Sequence, residues 1–423
     1  MVSVFALFFE FLLLYLIRLG GSSIPESFYM IMVFVSTIAL MVDLAMSRRI
    51  RFARGAILFG YFWRLFLVLF DLYGKSIYKL PNSGADSLMF YRQAVNYVST
   101  GYAGLGGTFS AVMGRVFRIT GASQLYGQFL LVLMSVLALC VFARMMAEMD
   151  LDYRAKTWSI SLLAFLPNFA IISSIFLREC PILTLLALSF FFFYRWMERG
   201  SWAGFVLAFG FAMASSTMHG GSAAVAVGYI AVLILYDTER KAFRASAKNI
   251  ILAIVLSLAM IYLYLNYGDL FFSKLLGVES IEDIGSTGAE GGSSYARYVG
   301  DSATPLNMMI YTIPRIVYFL FSPFPWQWRG LSDIIAFVFS GLFYLLAVVH
   351  AFHYLRRGDG EHKYLLLAFL IVAAATTFVF AWGVTNTGTA ARHREKMVIL
   401  FGLIYAIGIS GKKPTRIVFR SRR

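Results

Sequence analysis

Charged residues are scarce in this chain. Asp, Glu, Lys and Arg together make up 14% of its 423 residues, whereas about 25% is usual in water-soluble domains. Apolar residues account for 60% and aromatic residues for 17%, and no polar run is long enough to form a separate soluble domain. The composition therefore excludes an ordinary water-soluble enzyme and predicts a single transmembrane domain comprising residues 1–423.

Cysteine and the common cofactor motifs are also scarce or missing. The two cysteines, Cys140 and Cys180, lie in or beside apolar segments without C-x-x-C spacing, so neither a disulfide framework nor a metal cluster is expected. The sequence has no HExxH motif, no P-loop and no GxGxxG motif after a strand. We therefore expect chemistry that uses no metal and no cofactor.

Long apolar segments are abundant instead. About 20 mostly apolar residues are needed to cross about 30 Å of hydrocarbon, and twelve segments are candidates. They are approximately residues 2–17, 28–46, 56–73, 125–146, 158–176, 180–196, 202–218, 221–236, 249–267, 331–352, 363–382 and 397–410. The predicted fold class is all-α, a polytopic membrane protein with about twelve spanning helices.

The net charge of +15 is mostly explained by orientation in a membrane, and no nucleic acid partner is expected. Basic residues concentrate in alternate short loops, as cytoplasmic loops require. These loops lie around residues 48–54, 154–156, 195–199, 240–248, 356–363 and 412–423. The pattern predicts a multi-pass protein of the bacterial cytoplasmic (inner) membrane with both termini in the cytoplasm. Residues 74–124 and 268–330 then form two large extracytoplasmic loops.

The second large loop contains an apolar segment, residues 306–325, that must begin and end on the outer side. Pro314, Pro323 and Pro325 are expected to break any straight helix there. Trp326 and Trp328 are typical of the headgroup level. We therefore expect a re-entrant or interfacial segment, preceded by a mobile Gly/Ser-rich stretch at residues 285–294.

Several charges are not explained by orientation, and such charges are functional candidates by default. Arg178 and Glu179 occupy a short turn between two apolar segments. Arg178 would bind an anion in a cavity, or else extend to lipid headgroups with Glu179 as its ion-pair partner. Arg315 is a further candidate for binding substrate.

The segment from Thr389 to Lys396 contains Arg392, His393, Arg394 and Lys396 just before the last apolar segment. Guanidinium groups suit bidentate contact with phosphate, and a pyrophosphate would use several of them. The alternative is a miscounted helix that places the cluster in the cytoplasm.

Asp86 precedes Tyr91 and Arg92 in the first large loop. Its carboxylate would act as a general base toward a sugar hydroxyl, or would cap a helix. His219, in a small-residue turn, would carry a proton or simply bond the backbone.

Taken together, Gly84-Ala-Asp86 with Tyr91, the Leu177-Arg178-Glu-Cys-Pro segment and the turn around His219 resemble the EpsG-like and Wzy-type bacterial polysaccharide polymerases. The resemblance covers roughly residues 60–236. It implies a fold like that of the broader GT-C membrane glycosyltransferases, with Asp86, Tyr91, Arg178 and His219 at characteristic positions of the family.

The function that this resemblance implies is polymerisation of lipid-linked oligosaccharide repeat units into a capsule, exopolysaccharide or O-antigen. Donor and acceptor would be glycans on polyprenyl pyrophosphate in the membrane lipid, with a flippase and a chain-length regulator as partners. Asp86, Arg178 and His219 are the expected catalytic residues. The residues expected to bind substrate are Tyr91, Arg92, Glu179, Arg315, Arg392, His393, Arg394 and Lys396. The alternatives are a GT-C enzyme that adds one sugar from a polyprenyl phosphate, a lipid-linked oligosaccharide flippase, and a scaffold subunit.

Overall fold

The computed structural model describes residues 1–244, 247–276, 294–299, 305–357 and 362–411, and these residues are almost entirely helical. A two-residue antiparallel pair, β1 (Tyr236–Asp237) with β2 (Ala242–Phe243), is a small exception. The helices are α1 (Val2–Leu19), α2 (Glu26–Met46), α3 (Arg54–Tyr73), α4 (Ala85–Thr100), α5 (Gly107–Thr120), α6 (Gln124–Glu148), α7 (Tyr153–Phe165), α8 (Pro167–Ser174), α9 (Glu179–Arg199), α10 (Trp202–Ser216), α11 (Ala224–Leu235), α12 (Ala247–Leu276), α13 (Ala296–Val299), α14 (Pro305–Phe321), α15 (Leu331–Ile335), α16 (Leu342–Arg356), α17 (Lys363–Trp382), α18 (Thr387–Arg394) and α19 (Val398–Ile409).

Seven helical segments of the described chain are long and apolar enough to cross a membrane. They are Val2–Leu19, Glu26–Met46, Arg51–Tyr73, Gln124–Glu148, Glu179–Arg199, Leu331–Arg356 and Lys363–Trp382. The bent pair α7–α8 adds an eighth if it is one span. The all-helical architecture is thus confirmed and is compatible with a multi-pass membrane protein. The count of twelve stays a prediction, because α10, α11 and Asn249–Tyr262 of α12 are shorter apolar helices.

The predicted span 158–176 is a broken helix. α7 and α8 meet at 51°, and Leu166 between them has φ −58° and ψ 113°. Pro167 explains the break, because a proline disfavours helical backbone in the residue before it. Arg64, fully buried, donates from Nη1 to the carbonyl oxygens of Ala164 and Gly60, each at 2.9 Å. It thus pairs a carbonyl beside the break, as hydrocarbon surroundings require.

The expected break at Pro314 is wrong. α14 runs through Pro314 to Phe321, since helices in membranes tolerate proline where neighbouring groups pair the freed backbone. Pro323 and Pro325 do lie beyond the helix, and Pro325 begins a short turn. The mobile stretch predicted at 285–294 lies outside the described residues except for Ser294, so that expectation stays a prediction.

The basic loops meet at one end of the helix bundle, the basic end. Four contacts there join loops that the charge pattern assigns to one side. They are the Met1 ammonium group with Asp43, Glu148 with Arg144, Arg195 and Arg199, Lys241 with Glu198, and the Gly411 N–H with Asp152. Both described chain ends therefore lie at the basic end. That this end faces the cytoplasm stays a prediction.

The segment 74–124, predicted as a loop, contains two helices at the opposite end. α4 and α5 pack on α3, α6 and the α8–α9 junction through a buried apolar cluster that includes Leu67, Phe90, Phe109, Leu131 and Phe176. Because this cluster is fully packed, the start of α4 is held against the bundle. That start carries Asp86.

Candidate functional site

Five charged side chains from three separate parts of the sequence meet at the end opposite the basic end; we call them the charged cluster. They are Asp86 at the start of α4, Arg178 and Glu179 at the start of α9, and Arg392 and Lys396 in and after α18. Arg392 Nη1 pairs with an Asp86 carboxylate oxygen. Glu179 Oε1 lies 3.2 Å from Arg392 Nε and 3.3 Å from Lys396 Nζ. The result is a row of ion-paired side chains whose charges alternate from the surface inward.

Helix starts and helix spacing explain where Arg392, Lys396 and Glu179 lie. Asn386 caps α18, because its Oδ1 accepts hydrogen bonds from the N–H groups of Gly388 (2.9 Å) and Thr389 (3.2 Å). Arg392 and Lys396 are four residues apart and therefore point to the same side of a helical segment. Glu179 lies in the first turn of α9, where the helix dipole favours a carboxylate.

The helix-cap interpretation of Asp86 is wrong. Asp86 is the second residue of α4, and Ser87 instead exchanges hydrogen bonds of 3.1 Å with the backbone of Gly84. Ser83 donates to Asp71. The Asp86 carboxylate is therefore available to Arg392, and its side chain is 52% exposed.

Burial increases steeply along the cluster. The exposed fraction of the side chain is 13% for Arg392, 2% for Glu179 and 0% for Lys396. Burial lowers the pKa of Lys396 well below its usual value, although the Glu179 carboxylate opposes this. For Arg392 the carboxylates of Glu179 and Asp86 outweigh burial and raise the pKa. Arg392 is therefore a permanent cation, whereas the charge of Lys396 depends on its surroundings.

Arg178 lies beside the row of ion-paired side chains and does not form part of it. Its Nη1 donates to the Met218 carbonyl oxygen at 3.0 Å, and its guanidinium lies 5.4 Å from the centre of the Phe90 ring. Glu179 forms its close ion pairs with Arg392 and Lys396, and its carboxylate also attracts the Arg178 guanidinium at longer range. Arg178 Nε has no hydrogen-bond partner among the described residues, so this arginine keeps a donor for a ligand.

The two predicted histidines lie together behind the cluster. The rings of His219 and His393 are perpendicular with centres 4.6 Å apart, and Phe380 packs against both. Both histidines are buried, with exposed fractions of 8% and 3%. They are therefore less accessible to a ligand than Asp86.

Arg394 points away from the charged cluster. It is fully buried and donates to Ser340 Oγ at 2.9 Å and to the carbonyl oxygens of Leu320 and Ala336 at 3.0 Å each, as well as to that of Ser322. These bonds tie α18 to the end of α14 and to the helix that carries Ser340. The geometry favours a structural role for Arg394.

Arg315 is also buried, and its contacts lie with α13 and the end of α17. Its Nε donates to the Val299 carbonyl oxygen at 3.2 Å and its Nη1 to that of Trp382 at 3.3 Å, and its guanidinium stacks 4.0 Å from the Trp382 ring centre. Tyr91 packs edge-on against Phe117 and Phe176. Arg92 is exposed.

One cleft borders the cluster, and sequence reasoning missed its lining. It has a volume of about 250 Å³ and is lined by Asn82, Asn168, Thr387, Gly388 and Ala391, among others. Single Asn and Thr residues in apolar segments are common, so no sequence signal distinguishes these. Only the tertiary fold brings α8, α18 and the chain before α4 to the same cleft.

Among the described residues, no three His, Cys, Asp or Glu side chains are grouped as metal ligands, and both cysteines are free thiols. The cluster instead combines the half-exposed Asp86 carboxylate and the buried Glu179 carboxylate with three basic side chains, a set suited to accepting a proton and binding an anion. Comparison with family models, curated proteins and solved structures finds no match for the chain. The resemblance to polysaccharide polymerases therefore stays a prediction.

Proposed function

We propose that this protein is a membrane glycosyltransferase that joins polyprenyl-pyrophosphate-linked oligosaccharide units on the extracytoplasmic face of a bacterial cytoplasmic membrane. The observation that carries the proposal is the contact between Arg392 and Asp86, 306 residues apart in sequence. It brings a candidate base and a phosphate-binding cation together at the end of the bundle opposite the basic loops.

The cluster supplies the charges that such a transfer needs. The acceptor hydroxyl oxygen bonds to the anomeric carbon of the donor, and the bond from that carbon to the phosphate oxygen breaks. The pyrophosphate leaves with the bonding electrons and the Asp86 carboxylate takes the hydroxyl proton. Arg178 and Arg392 stabilise the negative charge on the leaving group, a large contribution in a site shielded from water.

The ion pair gives an order to these events. In the free protein Arg392 binds Asp86, so a pyrophosphate that competes for the guanidinium releases the carboxylate. Asp86 then becomes free to accept the proton only after the donor has bound. Lys396, fully buried beside Glu179, adds a cation below Arg392.

The experiment uses the full chain in proteoliposomes with a polyprenyl-pyrophosphate-linked oligosaccharide from the same organism. Wild-type protein should produce a ladder of products. Asp86→Asn should lower the rate by about 10²–10⁴, and Arg392→Met by about 10²–10³. The matched controls, Glu198→Gln and Lys241→Met, remove an exposed pair at the basic end and should retain full activity.

Three outcomes would overturn the proposal. A single added sugar from a polyprenyl phosphate donor would instead indicate a GT-C transferase. Movement of the donor across the membrane without a covalent product would indicate a flippase. A full ladder from Asp86→Asn and Arg392→Met would remove the charged cluster from the mechanism.

A further inference from the structure

The cleft beside the charged cluster is the feature that the proposed mechanism leaves unused. Its walls come from α8, α18, the chain before α4 and the stretch from Pro323 to Ala336. On α18 the residues Gly388 and Ala391 line it, and Arg392 follows directly. Gly388 and Ala391 are three residues apart and share a face of α18. Arg392 itself does not line the cleft, so the cleft lies next to the charged cluster through the α18 backbone directly before Arg392.

One buried polar group of the cleft has no partner within the described chain. Thr387 is 2% exposed and its Oγ1 has no hydrogen-bond partner in the part of the chain that the structure describes. A buried hydroxyl without a partner costs free energy, which a ligand that supplies the partner recovers. The amide side chains of Asn82 and Asn168 add donors and acceptors nearby.

The charges in the cleft cancel. Arg329 donates from Nε and Nη2 to the two carboxylate oxygens of Asp333, at 3.0 and 3.1 Å. This bidentate pair leaves no unbalanced charge for an anion, whereas the cationic groups stand in the neighbouring cluster. The apolar part of the lining, Ile171 and Ile172 of α8, completes a surface that is neutral, with amides, hydroxyls and aliphatic groups.

Size narrows the ligand class further. Sites for drug-sized molecules occupy about 300–1,000 Å³, and this cleft has about 250 Å³. It suits one small neutral polyhydroxyl ring rather than a lipid chain. Amides and hydroxyls beside aliphatic carbon match the hydroxyl groups and C–H face of such a ring.

We propose that this cleft holds the terminal sugar ring of the acceptor, with Thr387 and Asn168 as specificity-determining residues. This inference rests on the proposed function, because it places the reacting hydroxyl next to Asp86. Asn82 lines the cleft four residues before Asp86 in the chain, and in this proposal the ring presents its reacting hydroxyl toward that carboxylate. The donor pyrophosphate lies on the other side, at Arg178 and Arg392.

The test measures acceptor binding apart from chemistry. In the proteoliposome assay, Thr387→Val should raise KM for the acceptor about three- to tenfold, the value of one hydrogen bond, while kcat stays close to that of wild type. Asn168→Leu should do the same. Thr385→Val is the matched control, since Thr385 is equally buried and its hydroxyl also has no partner among the described residues, but it does not line the cleft.

A second measurement does not depend on turnover. Saturation-transfer NMR on the full chain in nanodiscs, with glucose, galactose, mannose, rhamnose and N-acetylglucosamine as separate probes, should give a signal for at least one sugar. That signal should weaken in Thr387→Val and persist in Thr385→Val. The absence of any signal, or equal signals in both variants, would overturn the cleft assignment. Sugar binding in the cleft without any glycosyl transfer would overturn the proposed function instead.

Discussion

The buried ion pair between Glu179 and Lys396 permits a quantitative test of the charged cluster. Glu179→Leu removes the carboxylate that Lys396 and Arg392 share, and Lys396→Met removes the deepest cation. The double variant replaces the pair with apolar groups of similar volume. Together with wild type these proteins form a double-mutant cycle that isolates the coupling between the two side chains.

The distances fix the expected size of the effect. Unit charges 3.3 Å apart attract by about 5 kcal/mol at an effective dielectric constant of about 20, before the cost of removing them from water. Removal of one partner of a buried pair typically costs about 3–5 kcal/mol. Glu179→Leu should lose about 4 kcal/mol, because fully buried Lys396 is left without a carboxylate. Lys396→Met should lose less, since Glu179 keeps Arg392.

The stability loss of the double variant should be smaller than the sum of the two single losses by at least about 2 kcal/mol, because an apolar pair avoids the desolvation cost. The assay is unfolding in mixed micelles as a function of SDS fraction, followed by circular dichroism. The control cycle uses Glu198→Leu and Lys241→Met, an exposed pair 3.0 Å apart, where the coupling should be below about 1 kcal/mol. Additive losses within about 0.5 kcal/mol at Glu179 and Lys396 would refute the buried pair.

Three further predictions concern packing, pH and orientation. Gly228→Ala should destabilise the fold by about 1–3 kcal/mol, because its Cβ would lie 2.8 Å from a backbone atom of α17. At Gly210, inside α10, a Cβ meets nothing within 4 Å, so Gly210→Ala should stabilise the fold by about 0.5–1 kcal/mol. Burial raises the pKa of Glu395 to about 7 from 4.5, so the folded protein holds this proton more tightly than the unfolded chain. The free energy of unfolding should therefore fall by up to about 3 kcal/mol as pH rises from 4 to 8. Glu395→Gln should flatten this pH dependence of the unfolding free energy in the same titration. Asn96→Cys and Glu239→Cys, both at exposed positions, should be labelled by an impermeant maleimide from opposite sides of the membrane, and labelling from one side would contradict the orientation.

The sequence indicated much of the helical architecture because lipid imposes a simple rule. Every backbone polar group must be paired within a span, so long apolar segments such as Val2–Leu19 become helices whatever surrounds them. The basic loops were readable for the same reason, since the membrane acts on each loop separately. Pro167 and Pro314 show the limit of this reasoning: both interrupt an apolar segment, yet one separates two helices and the other lies inside α14. The apolar pattern around each proline does not distinguish the two cases.

The residues of the candidate site also divide into those that the sequence predicted and those that only the fold identified. The sequence picked out Asp86, Arg178 and Arg392 because the orientation of the predicted spans leaves their charges unexplained, and such charges are costly. The sequence did not distinguish Arg392 from Arg394, two residues apart, because their different roles depend on partners far away in the chain. Arg392 meets Asp86 and Glu179, whereas Arg394 is enclosed by carbonyl groups.

The sequence by itself thus determined that the chain is an all-helical, apolar protein with a small set of unexplained charges, since those properties follow from residue types and their spacing. Only the tertiary structure decided which of these charges meet, and that Asn168 and Thr387 line the same cleft. That α8 and α18 line one cleft is set by packing across more than 200 residues, and no local pattern encodes it.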